Sequence, residues 1–416
     1  MIKNNKVVLN FIKNTFNNSN RNYVFLAQIV NAIIALISGK LIALYIIPED
    51  FGVYNLQFAA YTFFATLLVS PFIQFIKATN ITLLPKIGSK PYVITFVLLI
   101  LIAYFSIISF LHLYYNLNDI KLLVIILFYI SFATINNILC NYLNVHNELI
   151  AFSRLSVLQS LSGLVFLGIF VTLGLSFIND PQLLWLMQLF GITIGLAFFI
   201  SQYKIFRSAF KIAYTTFLKK YFQFAGPLMF LAIWAWINNY FDRYAIEYFL
   251  SLEEVGVYNA SYGVGSKIFL LVSPIFMVLI TPQVYAGVKK EKKKKAIKKY
   301  VFYYAITAMP ILAIVYLLKD FIGILLLSES YKDGFPIIFW IAMAYFILTL
   351  SYLFESLFYS EQKTSVILIA NIVSAIVNII FNIFLIPLYG IMGATFATCL
   401  GFMIHFFIIY LNFKKL

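Results

Sequence analysis

Three cationic side chains interrupt long apolar runs of this sequence. Lys40, Arg243 and Lys267 each stand inside a run that is long enough to cross a lipid bilayer. A charged side chain at the centre of a membrane costs at least ~2.5–3.5 kcal/mol, so such residues usually serve a function. Arginine presents a bidentate fork to phosphate oxygens, and lysine presents a compact point charge. These residues therefore predict recognition of a phosphate-type anion within the membrane.

Each of the three cations also has a purely structural interpretation. Lys40 lies seven residues from the end of its run, so its long side chain could extend to the headgroups. Arg243 stands four residues before Glu247, and such a pair would simply stabilise a helix. Lys267 could likewise be structural. Both interpretations stay open at the level of the sequence.

Acidic residues accompany the cations in the same runs. Asp242 adjoins Arg243, although neighbours on a helix point about 100° apart. Glu355 has no basic residue within one helical turn, and a carboxylate removed from water there can take up a proton. Both carboxylates could equally serve in hydrogen bonds between packed helices. His112, His146 and His405 occur singly, which is more typical of structural histidines.

The elements that position these residues are membrane-spanning helices. Of 416 residues, 63% are hydrophobic and only 11% are charged, an imbalance that a water-soluble domain cannot bury. The pattern predicts an all-α polytopic membrane protein. Its twelve predicted spans cover residues 24–47, 52–76, 92–115, 121–143, 155–177, 183–203, 222–249, 255–281, 300–318, 335–360, 365–387 and 390–411.

The distribution of charge among the connecting segments predicts the orientation. Alternate connections, together with the two termini, contain 24 of the 30 Lys and Arg residues. A Lys/Arg excess marks the cytoplasmic side of a membrane protein, so we expect both termini to be cytoplasmic. Lys77 and Arg154 would lie at cytoplasmic helix ends, as interface anchors or, for Lys77, as a first contact for an incoming anion.

Several other features point to no further chemistry. The run KKEKKKKAIKK (289–299) is typical of an anchor at acidic lipid headgroups, and no basic–aromatic module predicts nucleic-acid binding. The segment KDFIGILLLSESYKDG (319–334) is too short to cross separately and is expected to lie at the interface or to extend a helix. Cys140 and Cys399 lie in apolar runs without the spacing of a metal site, and we expect no metal or cofactor.

A repeated string divides the chain in two. PEDFGVYNLQ (48–57) and LEEVGVYNAS (252–261) share GVYN, and Val-Ser-Pro follows at 69–71 and at 272–274. Since an even number of spans lies between the copies, the two halves would be parallel six-helix repeats, 1–210 and 211–416. The basic segment 203–221 would join them, and transporters built in this way bind substrate at a central cavity between the halves.

The order of these motifs resembles a known family. PEDFGVYNLQ, GPLMFLAIWAWINNYFDRYAI (226–246), LEEVGVYNASYG (252–263) and NIIFNIFLIPLYGIMGATFAT (378–398) together are similar to the polysaccharide-transport (Wzx-type O-antigen flippase) branch of the MATE/oligosaccharidyl-lipid/polysaccharide (MOP) exporter superfamily. The resemblance covers essentially the whole chain. It implies a MATE-like fold of two lobes around a central cavity.

The resemblance also implies a function. It predicts a flippase in the bacterial cytoplasmic (inner) membrane that moves an undecaprenyl-diphosphate-linked oligosaccharide across the bilayer by alternating access. Lys40, Arg243, Lys267 and Lys77 would bind the diphosphate head group, and Asp242 and Glu355 would couple transport to H⁺ or Na⁺. Membrane lipids and other polysaccharide-assembly proteins are the expected partners. The protein would not be an enzyme and would have no catalytic residues.

Three alternatives belong to other functional classes. A MATE-type drug exporter would have an acidic cavity for cationic substrates, whereas the cations here favour an anion. A membrane glycan polymerase or ligase usually needs a large outer loop with catalytic residues, and the longest one here has about sixteen residues, mostly apolar. A lipid II flippase resembles the chain less well because that branch has fourteen spans. The identity of the sugars and of the final polymer is not encoded in any of these motifs.

Overall fold

The computed structural model describes residues 19–79, 90–115, 119–146, 148–173, 180–200, 214–285 and 289–415. Within these ranges the chain forms twelve long helices, and a 3₁₀ helix, Glu329–Gly334, precedes the tenth. The helices are α1 Ser19–Tyr45, α2 Pro48–Thr79, α3 Lys90–Tyr115, α4 Ile120–Val145, α5 Leu149–Thr172, α6 Gln182–Ile200, α7 Tyr214–Phe249, α8 Leu252–Tyr285, α9 Lys290–Leu326, α10 Phe335–Ser360, α11 Thr364–Tyr389 and α12 Ile391–Lys415.

These helices confirm the predicted all-α architecture, one helix for each predicted span. Eleven of them are long and apolar enough to cross a membrane. The exception is α7, which has 36 residues but carries the polar and charged side chains described below.

Two helices extend further than the hydropathy pattern predicts. The lysine run 289–299, predicted as a connection, belongs almost entirely to α9, which begins at Lys290. Lys219 and Lys220, from the predicted linker 203–221, lie in α7. Lysine has a high helix propensity, so these helices continue beyond their apolar parts. Residues 201–213 of that linker lie outside the described residues.

The segment 319–334 extends a helix, one of its two predicted states. It continues α9 to Leu326 and ends in the 3₁₀ helix. There the buried Tyr331 donates a hydrogen bond from its hydroxyl to the carbonyl oxygen of Ile46 over 2.9 Å. The bond ties the segment to the turn between α1 and α2.

The chain forms two compact units. The first comprises Met1–Leu41 and Ala60–Met229, and the second comprises Ile42–Ala59 and Phe230–Leu416. The division of the sequence into six-helix lobes at 1–210 and 211–416 stays a prediction.

Within the first unit, close helix packing is achieved by glycine and by amide pairs. Gly191 and Gly195 of α6 lie against Gln159 of α5, where a Cβ on Gly191 would come within 2.5 Å of the Gln159 carbonyl oxygen. Gln159 Nε2 in turn donates to Asn136 Oδ1 of α4 over 2.7 Å. An amide buried in a membrane protein needs such a partner because lipid offers none.

Within the second unit, the two GVYN glycines pack against each other's helix. A Cβ on Gly52 of α2 would lie 2.0 Å from the carbonyl oxygen of Leu252, and a Cβ on Gly256 of α8 would lie 1.8 Å from that of Pro48. In the repeat alignment Pro48 corresponds to Leu252, so the contact is reciprocal. A reciprocal contact is the mark of two-fold related surfaces. It explains why both copies of the string keep glycine.

A π-helical turn accounts for the one difference in spacing between the repeats. Pro71 follows Gly52 by 19 residues, whereas Pro274 follows Gly256 by 18. Helix α2 contains a π-helical turn at Ala65–Val69, directly before Ser70. A π turn accommodates one extra residue within a helix, so the rest of α2 returns to the register of α8.

The glycine contact predicts a contrast between two substitutions in α8. Gly256→Ala would drive a methyl group into the backbone of Pro48, and overpacking of this kind costs about 1–3 kcal/mol. Gly263→Ala is the matched control, because a Cβ there meets nothing within 4 Å. We expect thermal unfolding in detergent to occur at a lower temperature for Gly256→Ala only. Equal unfolding temperatures for the two variants would contradict the contact.

Candidate functional site

A buried ion pair forms between neighbouring residues of α7. Arg243 Nη1 lies 2.7 Å from Asp242 Oδ1, and both side chains are less than one-tenth exposed. The backbone of the helix places the two side chains about 100° apart, but the length of the arginine side chain lets it fold back to the aspartate. Asp242, and not Glu247, is therefore the carboxylate that pairs with Arg243.

Helix α8 completes this ion pair with the last two residues of its GVYN string. The Tyr258 hydroxyl donates to Asp242 Oδ2 over 2.5 Å, and Arg243 Nε donates to Asn259 Oδ1 over 2.8 Å. Asn259 is itself held by a hydrogen bond from its Nδ2 to the Val255 carbonyl oxygen over 3.0 Å. We call Asp242, Arg243, Tyr258 and Asn259 the Arg243 cluster.

Aromatic rings enclose the guanidinium. The Arg243 Cζ atom lies 4.9 Å from the ring centre of Tyr240 and 5.0 Å from that of Tyr262, distances at which a cation is attracted to the ring face. The Tyr262 hydroxyl is 3.0 Å from that of Tyr345 on α10. Nη1 also donates to the Asn239 carbonyl oxygen, whereas Nη2 has no acceptor among the described residues. One edge of the guanidinium thus remains available for a further acceptor.

A second buried acid–base pair joins α10 to α12. Glu355 Oε1 and His405 Nε2 lie 2.6 Å apart, and both residues are less than one-tenth exposed. The hydrogen bond supplies the partner that the sequence around Glu355 lacks. The bond therefore joins two helices through a buried carboxylate and a buried imidazole.

Neutral polar residues link α7 to α11 and α12. Asn238 Nδ2 donates to the Asn371 carbonyl oxygen over 3.1 Å, and Ser374 Oγ lies 3.1 Å from Asn238 Oδ1 and 2.9 Å from the Gly401 carbonyl oxygen. These bonds fix α7 one turn before the Arg243 cluster. Within the described part of the chain, no three His, Cys, Asp or Glu side chains come together as a metal site.

The three lysines predicted to bind an anion have different surroundings. Lys267 is exposed on α8, and it makes no hydrogen bond or ion pair with another described residue. Lys77 is exposed in the last turn of α2, where a cation interacts favourably with the helix dipole. Lys40 is half-buried in α1. Their roles in binding stay predictions.

The structure thus brings Asp242 and Arg243 together and adds residues that the sequence did not assign. Tyr258 and Asn259 belong to the GVYN string, which the sequence identifies only as a repeat. The partner of His405 is fifty residues away in the chain, so the sequence shows it as a single histidine. The signals in the sequence for the cluster are the charges of Asp242 and Arg243 and the repeated Tyr-Asn pair, each within an apolar run.

Several solved membrane transporters share this architecture. The lipid II flippase MurJ in an inward closed conformation has a TM-score of 0.71 at 15% identity, over 95% of this chain and 87% of that one. An inward-facing multidrug resistance MATE family transporter of the MOP superfamily has a TM-score of 0.65 at 15% identity, over 92% and 94%. A MOP superfamily transporter from Pyrococcus furiosus, described as having a binding pocket of reverse polarity, has a TM-score of 0.58 at 14% identity, over 94% of each chain. At these identities the likeness shows that this chain shares their fold.

The family follows from the sequence itself. The model of the polysaccharide biosynthesis protein family matches residues 19–282, and this chain belongs to that family. The resemblance identified from the GVYN strings and their neighbours is thereby confirmed. A search of curated proteins finds no match.

The Arg243 cluster predicts how single and double substitutions change the free energy of unfolding. Arg243→Met leaves Asp242 buried without its cation, and breaking a buried pair in this way costs about 3–5 kcal/mol. The double variant Asp242→Asn/Arg243→Met removes both charges, so we expect it to recover much of that loss. Thermal unfolding in detergent measures both variants. A double variant no more stable than Arg243→Met would show that the ion pair does not determine stability here.

Proposed function

We propose that this protein is a flippase that translocates an undecaprenyl-diphosphate-linked oligosaccharide repeat unit across the bacterial cytoplasmic membrane by alternating access. The glycan would be destined for O-antigen or another surface polysaccharide. Membership of the polysaccharide biosynthesis family and the MOP fold support this proposal. The charge bias of the connecting segments supports cytoplasmic termini.

The position and surroundings of Lys267 are the main support for the proposal. It is a lysine without a described partner, fifteen residues into a helix that is otherwise apolar enough to span a membrane. A cation in that position is expensive unless water or an anion meets it. A diphosphate head group supplies such an anion, while the polyprenyl chain can stay in lipid. Lys40 and Lys77 would contact the same head group at other stages.

Arg243 would act differently from Lys267. Its charge is already balanced by Asp242, so a diphosphate must either use the free Nη2 edge or displace the aspartate. Displacement would leave Asp242 with hydrogen bonds only from the Tyr258 hydroxyl and the Arg243 backbone N–H, and with no cation to balance its charge. We propose that Asp242, together with Glu355, couples substrate movement to H⁺ or Na⁺ in this way. Membrane lipids and other polysaccharide-assembly proteins would be its partners.

A MATE-type exporter of cationic drugs is the second candidate. The buried carboxylates of Asp242 and Glu355 favour it, since a cationic substrate would need an acidic site. Both carboxylates, however, are already bonded to basic groups, Arg243 and His405. The same experiment separates the two candidates.

The experiment uses cells that lack the gene and carry a plasmid-borne variant. Lys267→Ala removes the charge, Lys267→Arg keeps it, and Lys332→Ala removes an exposed lysine of the 3₁₀ helix as a matched control. Loss of one ionic contact to a ligand costs about 1.5–3 kcal/mol, so we expect Lys267→Ala to lower export roughly tenfold or more. Extracted polyprenyl-diphosphate glycans, assigned to a leaflet, provide the measurement.

The expected result is completed repeat units on the cytoplasmic face with Lys267→Ala, and normal export with Lys267→Arg and Lys332→Ala. The amount of each variant protein in the membrane is measured as well, so that lower export is not attributed to lower protein abundance. Normal surface polymer in cells without the gene, combined with altered resistance to cationic drugs, would overturn the flippase proposal in favour of the exporter.

A further inference from the structure

The first three turns of α9 are cationic on one side and fixed to the protein on the other. Four exposed lysines, Lys292, Lys295, Lys298 and Lys299, occupy the outward side of this helix, and we call them the lysine face. At 100° per residue they fall within about 120° of arc, opposite the buried residues Lys293 and Ile297. Glu291, the one acidic residue of the run 289–299, is exposed within the same arc, so the four lysines leave this face with a net positive charge.

Lys293 is the residue that fixes the helix. It is buried, and its Nζ atom lies 2.7 Å from Glu361 Oε1 and 3.3 Å from Ser360 Oγ, at the end of α10. The Lys293 ammonium holds the pKa of Glu361 below its usual range, as expected for a carboxylate that accepts a charged hydrogen bond. Lys294 adds a contact at 5.5 Å to the ring centre of Phe413 on α12. These contacts hold the buried side of α9 against α10 and α12, so the lysine face points away from them.

The outward side of α9 turns apolar directly after the lysine face. Phe302, Ile306 and Met309 follow Lys298 at intervals of three and four residues, and each is more than half exposed. A stripe of exposed apolar residues on a membrane helix contacts lipid tails, because water would disfavour it. The lysines that continue the same stripe must then lie at the level of the headgroups.

An aromatic residue marks the same boundary. Lys299 Nζ lies 5.5 Å from the ring centre of Tyr303, which is also exposed. Tyrosine is enriched where a membrane protein passes from hydrocarbon to headgroups. A soluble protein or nucleic acid would contact the lysines alone, whereas a lipid contacts both the lysines and the apolar stripe.

We propose that the lysine face and the stripe Phe302–Ile306–Met309 form a binding surface for anionic phospholipid. The lipid phosphate would bind to the lysines, and its acyl chains would lie along the apolar stripe. Like charges on one helix face repel each other, and a bound anionic headgroup relieves that repulsion. The surface would attract lipid with one net negative charge more strongly than zwitterionic lipid of equal chain length.

The experiment measures lipid retained by the full-length protein in detergent. Native mass spectrometry counts bound phosphatidylglycerol and phosphatidylcholine with identical chains. In the variant Lys292→Gln/Lys295→Gln/Lys298→Gln/Lys299→Gln we expect phosphatidylglycerol affinity to fall by at least about tenfold and phosphatidylcholine affinity to stay unchanged. The control Lys319→Gln/Lys332→Gln changes lysines beyond the other end of the apolar stripe and should retain wild-type binding.

Wild-type protein gives a second measurement that does not depend on a variant. Raising the salt concentration screens exposed charges, so the preference for phosphatidylglycerol should decline with salt. Equal binding of the two lipids, or a quadruple variant that still prefers phosphatidylglycerol, would overturn the proposal. An equal loss of binding to both lipids in the quadruple variant would show that the lysines do not discriminate lipid charge, and would also overturn the proposal.

Discussion

Hydrocarbon offers no hydrogen-bond partner, and this constraint shapes the Arg243 cluster and the Glu355–His405 pair. A buried donor, acceptor or charge must find its partner within the chain. Asp242 and Arg243 neutralise each other and are completed by Tyr258 and Asn259. Glu355 depends in the same way on His405. Lys267 differs from these residues because it makes no hydrogen bond or ion pair with another described residue.

The same constraint explains the use of glycine at the repeated string. Helix backbones satisfy their own hydrogen bonds, so two helices can approach closely in lipid if no side chain separates them. Gly52 and Gly256 permit that approach reciprocally. Asn55 and Asn259 each donate to the carbonyl oxygen four residues earlier in their own helix, and Asn259 also accepts from Arg243. The glycine contact and the asparagine bond thus occur in both copies of the string, and Asn259 adds the bond to the guanidinium.

Much of the architecture was predictable from the sequence because the period of an apolar helix and the length of a span are local properties. The twelve helices can be predicted from these local properties, and the repeat of the GVYN string is visible in the sequence itself. The ends of α7 and α9 did not follow, since lysines extend a helix without contributing hydropathy. The Glu355–His405 pair and the Tyr258–Asp242 bond depend on which helices pack together. No spacing along the chain encodes those contacts.

The most direct test of a flippase is transport by the purified protein. Proteoliposomes would contain a fluorescent polyprenyl-diphosphate oligosaccharide in both leaflets. A trap added outside would bind the molecules of the outer leaflet, so that those of the inner leaflet can follow only by transfer. A membrane-impermeant quencher would then measure the fraction that has reached the outer leaflet. We expect wild-type protein to transfer this lipid, faster under an imposed proton or sodium gradient, and to leave a cationic dye in place. Transfer of the dye without transfer of the lipid-linked glycan would contradict the central claim.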